Sequence, residues 1–207
     1  MGRKEDSQVA ETKITKAEKK ALKIKGVDEG IISRFWEIVN MWPEITMPGL
    51  AERVERFILE ATPGQFYSMQ VTLFEEATPY LLEDPRVRTI LEEFSGKRLG
   101  LAVEGEYEST VTLKNCYFII ERGIKDKKIP VISISSRKDY ADIVLGRKDP
   151  IRLILQRKIK ATHIVTLLKW ALPHLDLLKD QTLFDKYLSY QSKVEEILNE
   201  NLRKMGY

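Results

Sequence analysis

The chain has 207 residues, 43% hydrophobic and 31% charged, which is enough to bury a substantial core and points to one globular domain rather than a disordered chain. Its single cysteine, Cys116, excludes an internal disulfide framework and a multi-thiolate zinc site. The formal charge is only +3 but unevenly spread: residues 1–26 carry eight basic and four acidic side chains, residues 137–160 carry eight and three, and the remainder is acidic.

The opening "MGRKEDSQVAETKITKAEKK" is charged and lacks the apolar stretch of a secretory signal. The longest strongly apolar run, "IVTLLKWAL", falls far short of the roughly 20 residues a spanning helix needs. A cytoplasmic address is expected.

Residues 1–26 are polar and Lys-rich and read as a basic flexible tail. Residues 27–95 read as a helical layer. Ile31, Ile32, Phe35, Ile38, Val39 and Trp42 have helical spacing up to Pro43, and Leu50, Val54, Phe57, Ile58 and Ala61 repeat it. Thr62-Pro63, Thr78-Pro79 and Asp84-Pro85 each place a capping side chain before a proline and predict three short helices.

At Gly96 the period changes to two. Leu99, Leu101 and Val103 alternate, then Val111 and Leu113 point inward with Thr110, Thr112 and Lys114 outward. "CYFIIE" is apolar on both faces, as a central strand would be, and "VISIS" alternates again, so four strands with short links predict an antiparallel meander. Ser136 and Asp139 have capping-box spacing ahead of Tyr140, Ile143 and Val144; Gly146 ends that helix, Asp149-Pro150 opens another, and "RKIKA" alternates as a last strand. Residues 96–178 thus form an α+β core, a mostly antiparallel sheet of about five strands covered by helices. Residues 179–207 continue it with one long amphipathic helix carrying Leu183, Phe184, Tyr187, Leu188, Val194, Ile197, Leu198 and Leu202.

Chemistry-bearing groups are sparse. His163 and His174 sit eleven apart near opposite ends of a helix, and Glu104, Glu106 and Glu108 lie along one strand, so neither set converges as a metal site. Cys116 has apolar neighbours and nothing to lower its pKa, and "LEEFSGKRLG" precedes a strand where a phosphate-binding loop would follow one. No catalytic site, cofactor or metal is expected, and the protein reads as a non-enzyme. Lys16, Lys19, Lys20, Lys23 and Lys25 could attract phosphates, but no reading helix or aromatic strand pair accompanies them, which disfavours nucleic acid. The informative surplus is apolar: Ile164, Val165, Leu167, Leu168, Trp170, Ala171 and Leu172 surround nearly the whole of one helix, which either fills a core or lines a cavity.

From about Leu99 to Leu178 the chain resembles the sterol carrier protein type-two domain, a family of small α+β lipid carriers. The likeness lies in "LAVEGEYESTVTLKNCYFIIERG", in "IPVISIS" and above all in "SRKDYADIVLGRKDPIRLILQRKIKA", where Gly146, Asp149, Pro150, Gln156, Lys158 and Lys160 occupy the family's positions. The chain departs from it at Arg157 and His163, where the family usually has glycine; both positions bear on the turn geometry and the width of a cavity mouth.

The resemblance implies an apolar tunnel between sheet and helices that holds a fatty-acyl chain, sterol or isoprenoid. By position its lining is Leu101, Val103, Val111, Leu113, Phe118, Ile120, Ile132, Ile134, Tyr140, Val144, Ile154, Leu155, Ile164, Leu167, Leu168 and Leu172. Gln156, Arg157 and Lys158 stand at the mouth. Cations around that mouth suit an anionic membrane surface or a ligand carboxylate. The alternatives are an interaction scaffold with a filled tunnel, homodimeric through the helix from Leu183 to Leu202, and nucleic-acid binding through the Lys-rich N-terminus.

Overall fold

A computed structural model of the chain describes residues 45–148, 150–174, 177 and 180–207. The expected basic tail, the helix carrying Trp36 and Trp42, and Asp149 lie outside these residues. Helix α1 (Leu50–Glu60) buries Leu50, Val54, Phe57 and Ile58, the stripe its helical period requires. Helix α2 (Pro63–Leu81) opens on a capping box: Thr62 Oγ1 accepts from the Gln65 amide while the Gln65 side chain accepts from the Thr62 amide.

Thr78-Pro79 does not start a helix, contrary to expectation, because it falls inside α2. Thr78 is buried and its hydroxyl donates back to the Phe74 carbonyl at 2.5 Å, while Pro79 comes so near the helix end that its missing N–H breaks little. Helix α3 (Pro85–Glu93) does start as expected, with the Asp84 carboxylate accepting from the Arg86 amide at 2.9 Å.

The sheet comprises β1 (Arg98–Val103), β2 (Tyr107–Lys114), β3 (Tyr117–Arg122), β4 (Val131–Ile134) and β5 (Ile159–Ala161), in the order β3-β2-β1-β4-β5. It is mostly antiparallel, and the fold is α+β. The meander expectation fails at one link, since β4 pairs parallel to β1 and not with β3. Residues 123–130 cross one face of the sheet to make that connection. Thr110 Oγ1 donates to the Gly123 carbonyl at 2.8 Å, Arg98 pairs with Asp126 at 3.3 Å, and Ile129 and Pro130 are buried. Strand β3 is therefore an edge rather than a central strand, and its outer-face residues Tyr117 and Ile119 are 65% and 44% exposed. Two apolar faces in the sequence did not mean two covered faces.

Helices α4 (Arg137–Val144), α5 (Pro150–Leu155), α6 (Ile164–Ala171), α7 (Gln181–Leu188) and α8 (Gln191–Lys204) complete the described elements, with a 3-10 turn at Leu172–His174. The single C-terminal helix expected from the apolar spacing is two, α7 and α8. Ser189, between them, returns its hydroxyl to the Lys186 carbonyl at 2.6 Å. Its apolar side is not free either: Leu183 and Leu202 are buried inside the chain.

A core cluster joins α1, Phe66 and Met69 of α2, Ala141 of α4 and Leu202 of α8, with Tyr107, Tyr140 and Val144 packed against it. The buried Glu195 carboxylate ties α8 to the segment before α1, accepting from the Thr46 amide and hydroxyl and from the Met47 amide at 2.7–3.0 Å. Burial works against its charge, yet these donors and Gln191 hold it below its usual range.

Gly100 lies under the crossing segment, where an added Cβ would meet Val131 Cγ2 at 2.9 Å and Ile124 Cδ1 at 3.0 Å. Gly100→Ala is expected to cost about 1–3 kcal/mol through overpacking, read as a lower urea midpoint. An unchanged midpoint would mean that residues 123–130 are not pressed against the sheet.

Candidate functional site

Pairing register decides which strand residues share a face, because side chains alternate along each strand. Leu99, Leu101 and Val103 of β1 align with Val111, Ser109 and Tyr107 of β2. Val111, Leu113 and Ser109 align in turn with Ile120, Phe118 and Arg122 of β3. On the other side Leu101 and Val103 align with Ile132 and Ile134, and these with Ala161 and Ile159. The eight strand residues expected as lining therefore share one face, opposite the one crossed by residues 123–130.

That face is unevenly covered. Over β2 and β3 lies α2: the Phe74 ring sits 4.6 Å from Phe118, the Phe66 ring stacks on Tyr107 at 5.4 Å, and the Tyr67 hydroxyl donates to the Ile120 carbonyl at 3.1 Å. Beneath it Val111, Leu113 and Ile120 are buried. On β1, β4 and β5 only Val103 reaches that state, and Leu99, Leu101, Ile132, Ile134 and Ile159 are half-buried.

Helix α6 does not close the gap. None of its residues is buried: Leu167 and Leu168 are half-buried, Ile164 is exposed and Val165 is 62% exposed. Its far end meets α3, where Trp170 and His174 flank the Phe94 ring and Lys97 Nζ lies 3.7 Å from that ring's centroid. Leu172 is exposed, Ile154 and Leu155 of α5 are half-buried, and Tyr140 and Val144 turn toward the helical cluster. Of the two readings open for α6 from its apolar composition, a fully packed core helix is the one its exposure contradicts.

A polar inset interrupts the apolar face under α2, and the hydropathy pattern did not single it out. The Tyr107 hydroxyl donates to Gln70 Oε1, and burial pushes its pKa up, so it stays protonated at neutral pH. Beside it Ser109 is wholly buried, and its hydroxyl interacts with that of Tyr107. Arg122, the β3 neighbour of Ser109, holds its guanidinium 4.7 Å from the centre of the Tyr67 ring. Extending the inward register of Val111 and Leu113 back by two residues would have flagged Ser109 as an inward hydroxyl.

The basic segment of residues 137–160 is mostly paired. Asp139 and Asp142, both buried, hold Lys148, at 3.3 Å and 2.6 Å; Asp139 also holds Lys158 at 3.1 Å. Arg147 pairs with Glu55, Lys160 with Glu104, and Arg137 with Glu106 and the Ala61 carbonyl. Lys158, expected at the mouth, is thus committed to Asp139, while Gln156 and Arg157 are exposed. Among the described residues no His, Cys, Asp and Glu cluster suits a metal, and the Cys116 thiol is buried 3.8 Å from the Arg88 carbonyl.

The two departures from the family's glycines keep a glycine-like backbone: Arg157 has φ 60° and His163 φ 50°. Around Arg157 the Lys158 amide donates to Leu153 O and the Arg157 amide to Ile154 O, a Schellman end to α5. Gly146 ends α4 with the same pair of bonds, so one motif is built once with glycine and once with arginine.

Arg157→Gly is expected to be neutral or stabilising by up to about 1 kcal/mol, since relief of the left-handed strain exceeds glycine's entropy cost, and Arg157→Val to destabilise. Thermal midpoints of the two variants check the sign. For Asp139, burial raises the carboxyl, but donation from Ser136, Lys158, Lys148 and Ser135 outweighs it and brings the pKa from 3.8 to about 2. A depressed folded-state pKa contributes stability above the unfolded value, which is lost as pH falls from about 4 toward about 2. Across that window the melting temperature of Asp139→Asn should fall less steeply than that of the unsubstituted protein.

No protein-family model and no curated protein matches the chain. Among solved structures it is similar to one titled "UbiJ-SCP2 Ubiquinone synthesis protein", with a TM-score of 0.37 and 12% sequence identity; the match covers 51% of this chain and 90% of that one.

Proposed function

We propose that the protein is a non-enzymatic carrier of a long-chain apolar ligand, a fatty-acyl, sterol or isoprenoid lipid, held against the helix-side face of its sheet. One observation carries this reading: apart from Val103, the aliphatic half of that face, Leu99, Leu101, Ile132, Ile134 and Ile159, is only half-buried, and the apolar helix α6 has no buried residue. An apolar chain laid there removes two exposed surfaces from water at once. Each sequestered CH2 contributes about 0.8 kcal/mol, so an alkyl chain is retained with few polar contacts and loose specificity.

Binding of fluorescent fatty acids to delipidated protein should tighten about tenfold for every two methylenes added, until the chain outgrows the face. Leu167→Glu on α6 should weaken binding at least tenfold with little change in melting temperature, because that residue is outside the core. Mass spectrometry of a solvent extract should also find lipid in the purified protein. Absence of saturable binding together with a lipid-free extract would refute the reading.

A further inference from the structure

Three of the six exposed large apolar side chains among the described residues, Ile164, Val165 and Leu172, belong to α6 and its end. At helical spacing they share one side with the half-buried Leu168, while Thr166 and Trp170 take the other. That other side is the anchored one, since the Trp170 ring flanks Phe94 and lies 5.5 Å from Lys97 Nζ. Helix α6 thus turns an apolar stripe away from the fold.

Unpaired cations border the stripe. Just before α6 the Val131 amide donates to the Thr162 hydroxyl at 2.9 Å and the Thr162 amide to the Val131 carbonyl at 2.9 Å, which sets the end of the crossing segment beside the helix start. On that segment Lys125, Lys127 and Lys128 are exposed and make no ion pair among the described residues. Lys169, four residues after Val165 and so on its side of α6, is exposed and unpaired in the same sense. The neighbouring acids are engaged, Asp126 by Arg98 and Glu93 facing His174. From Pro150 to Leu175 the chain has no acidic residue at all.

We propose that this side of α6 docks on a membrane surface bearing anionic lipids. Ile164, Val165, Leu168 and Leu172 enter the boundary between headgroups and acyl chains, and Lys127, Lys128 and Lys169 meet the lipid anions. So short an apolar helix partitions weakly alone, and lysines alone attract through a screened field; together they make an interfacial anchor. A second copy is a poorer occupant, because a symmetric contact sets these lysines against one another. Residues 27–44 carry four acidic side chains and one basic and match the charge, but the chain enters the fold at Thr46 and Met47, tied to α8 beside a cluster that α6 does not join. Docking needs no bound ligand and so goes beyond the carrier reading.

The test is co-sedimentation of the full chain with vesicles of equimolar phosphatidylcholine and phosphatidylserine, against vesicles of phosphatidylcholine alone. Binding should be at least tenfold tighter to the anionic vesicles and should weaken with added salt. Val165→Glu should weaken it at least tenfold at an unchanged melting temperature, because Val165 is already 62% exposed. Lys127→Gln combined with Lys128→Gln should cost at least tenfold on anionic vesicles and nothing on phosphatidylcholine. Tyr117→Glu, at an exposed apolar residue of edge strand β3, should change neither. No binding, equal binding to both vesicles, or full binding by Val165→Glu would overturn the docking face. So would a Val165→Glu variant that melts lower, which means the stripe is covered by residues 27–44, or one that dissociates a dimer, which means a second copy covers it. Fatty-acid binding without vesicles reports on the carrier reading alone, so each can fail while the other stands.

Discussion

The buried carboxylate of Asp139 is the fixed point of the second half of the fold. It accepts from Ser135 at the end of β4, from Ser136 at the head of α4, from Lys148 after the α4 turn and from Lys158 at the entry to β5. Three separate stretches of backbone are thereby held to one side chain. Its charge is tolerated at 5% exposure because the donors are ionic as well as neutral, and removing any one would leave the rest facing an incompletely paired anion. The strand-helix-helix-strand unit that this group organises brings Ile132, Ile134 and Ile159 onto the helix-side face. The cations that gave the segment its basic character are used mainly in holding it together.

From that anchoring follows the asymmetry on which the functional reading rests. Helix α2 is long enough, and aromatic enough along one side, to cover β2 and β3 with Phe66, Tyr67 and Phe74. The short helices α5 and α6 cannot do the same for β1, β4 and β5. Apolar surface left half-covered on an ordered sheet is the feature on which the proposed carrier role rests.

Much of this was legible in the sequence where a single local rule was at work. Period-two spacing aligned Leu99, Leu101 and Val103, turned Val111 and Leu113 inward and aligned Ile132 and Ile134, and the Ser136–Asp139 spacing located the start of α4. Misreadings came where a non-local fact decided. Nothing in "RGIKDKKIP" says that the segment passes under Gly100 and delivers β4 alongside β1, so β3 read as central although it is an edge. The Thr78-Pro79 signal is real chemistry, but a proline near the end of a helix costs too little to break it. Ser109 escaped notice because a small polar residue among strand apolar positions gives no hydrophobic signal; only register and burial make it stand out. Arg157 is the converse, a residue type that hides its left-handed backbone until the hydrogen bonds around it are seen.

Glu195 has a consequence for how the protein comes to be folded. By accepting from Thr46 and Met47 across 149 and 148 residues of chain, it joins the start of the helical layer to the last helix, and Leu202 completes the same cluster. Contacts of such sequence separation are slow to form because the closure entropy comes due before any of their energy is gained. During synthesis α1 and α2 would emerge early with a stripe of Val54, Phe57, Phe66 and Met69 whose cover, begun by Tyr107 and α4, is complete only when α8 is made. The helical layer would therefore wait as a sticky intermediate in need of protection, and the ribbon of strands between would be the part able to settle first.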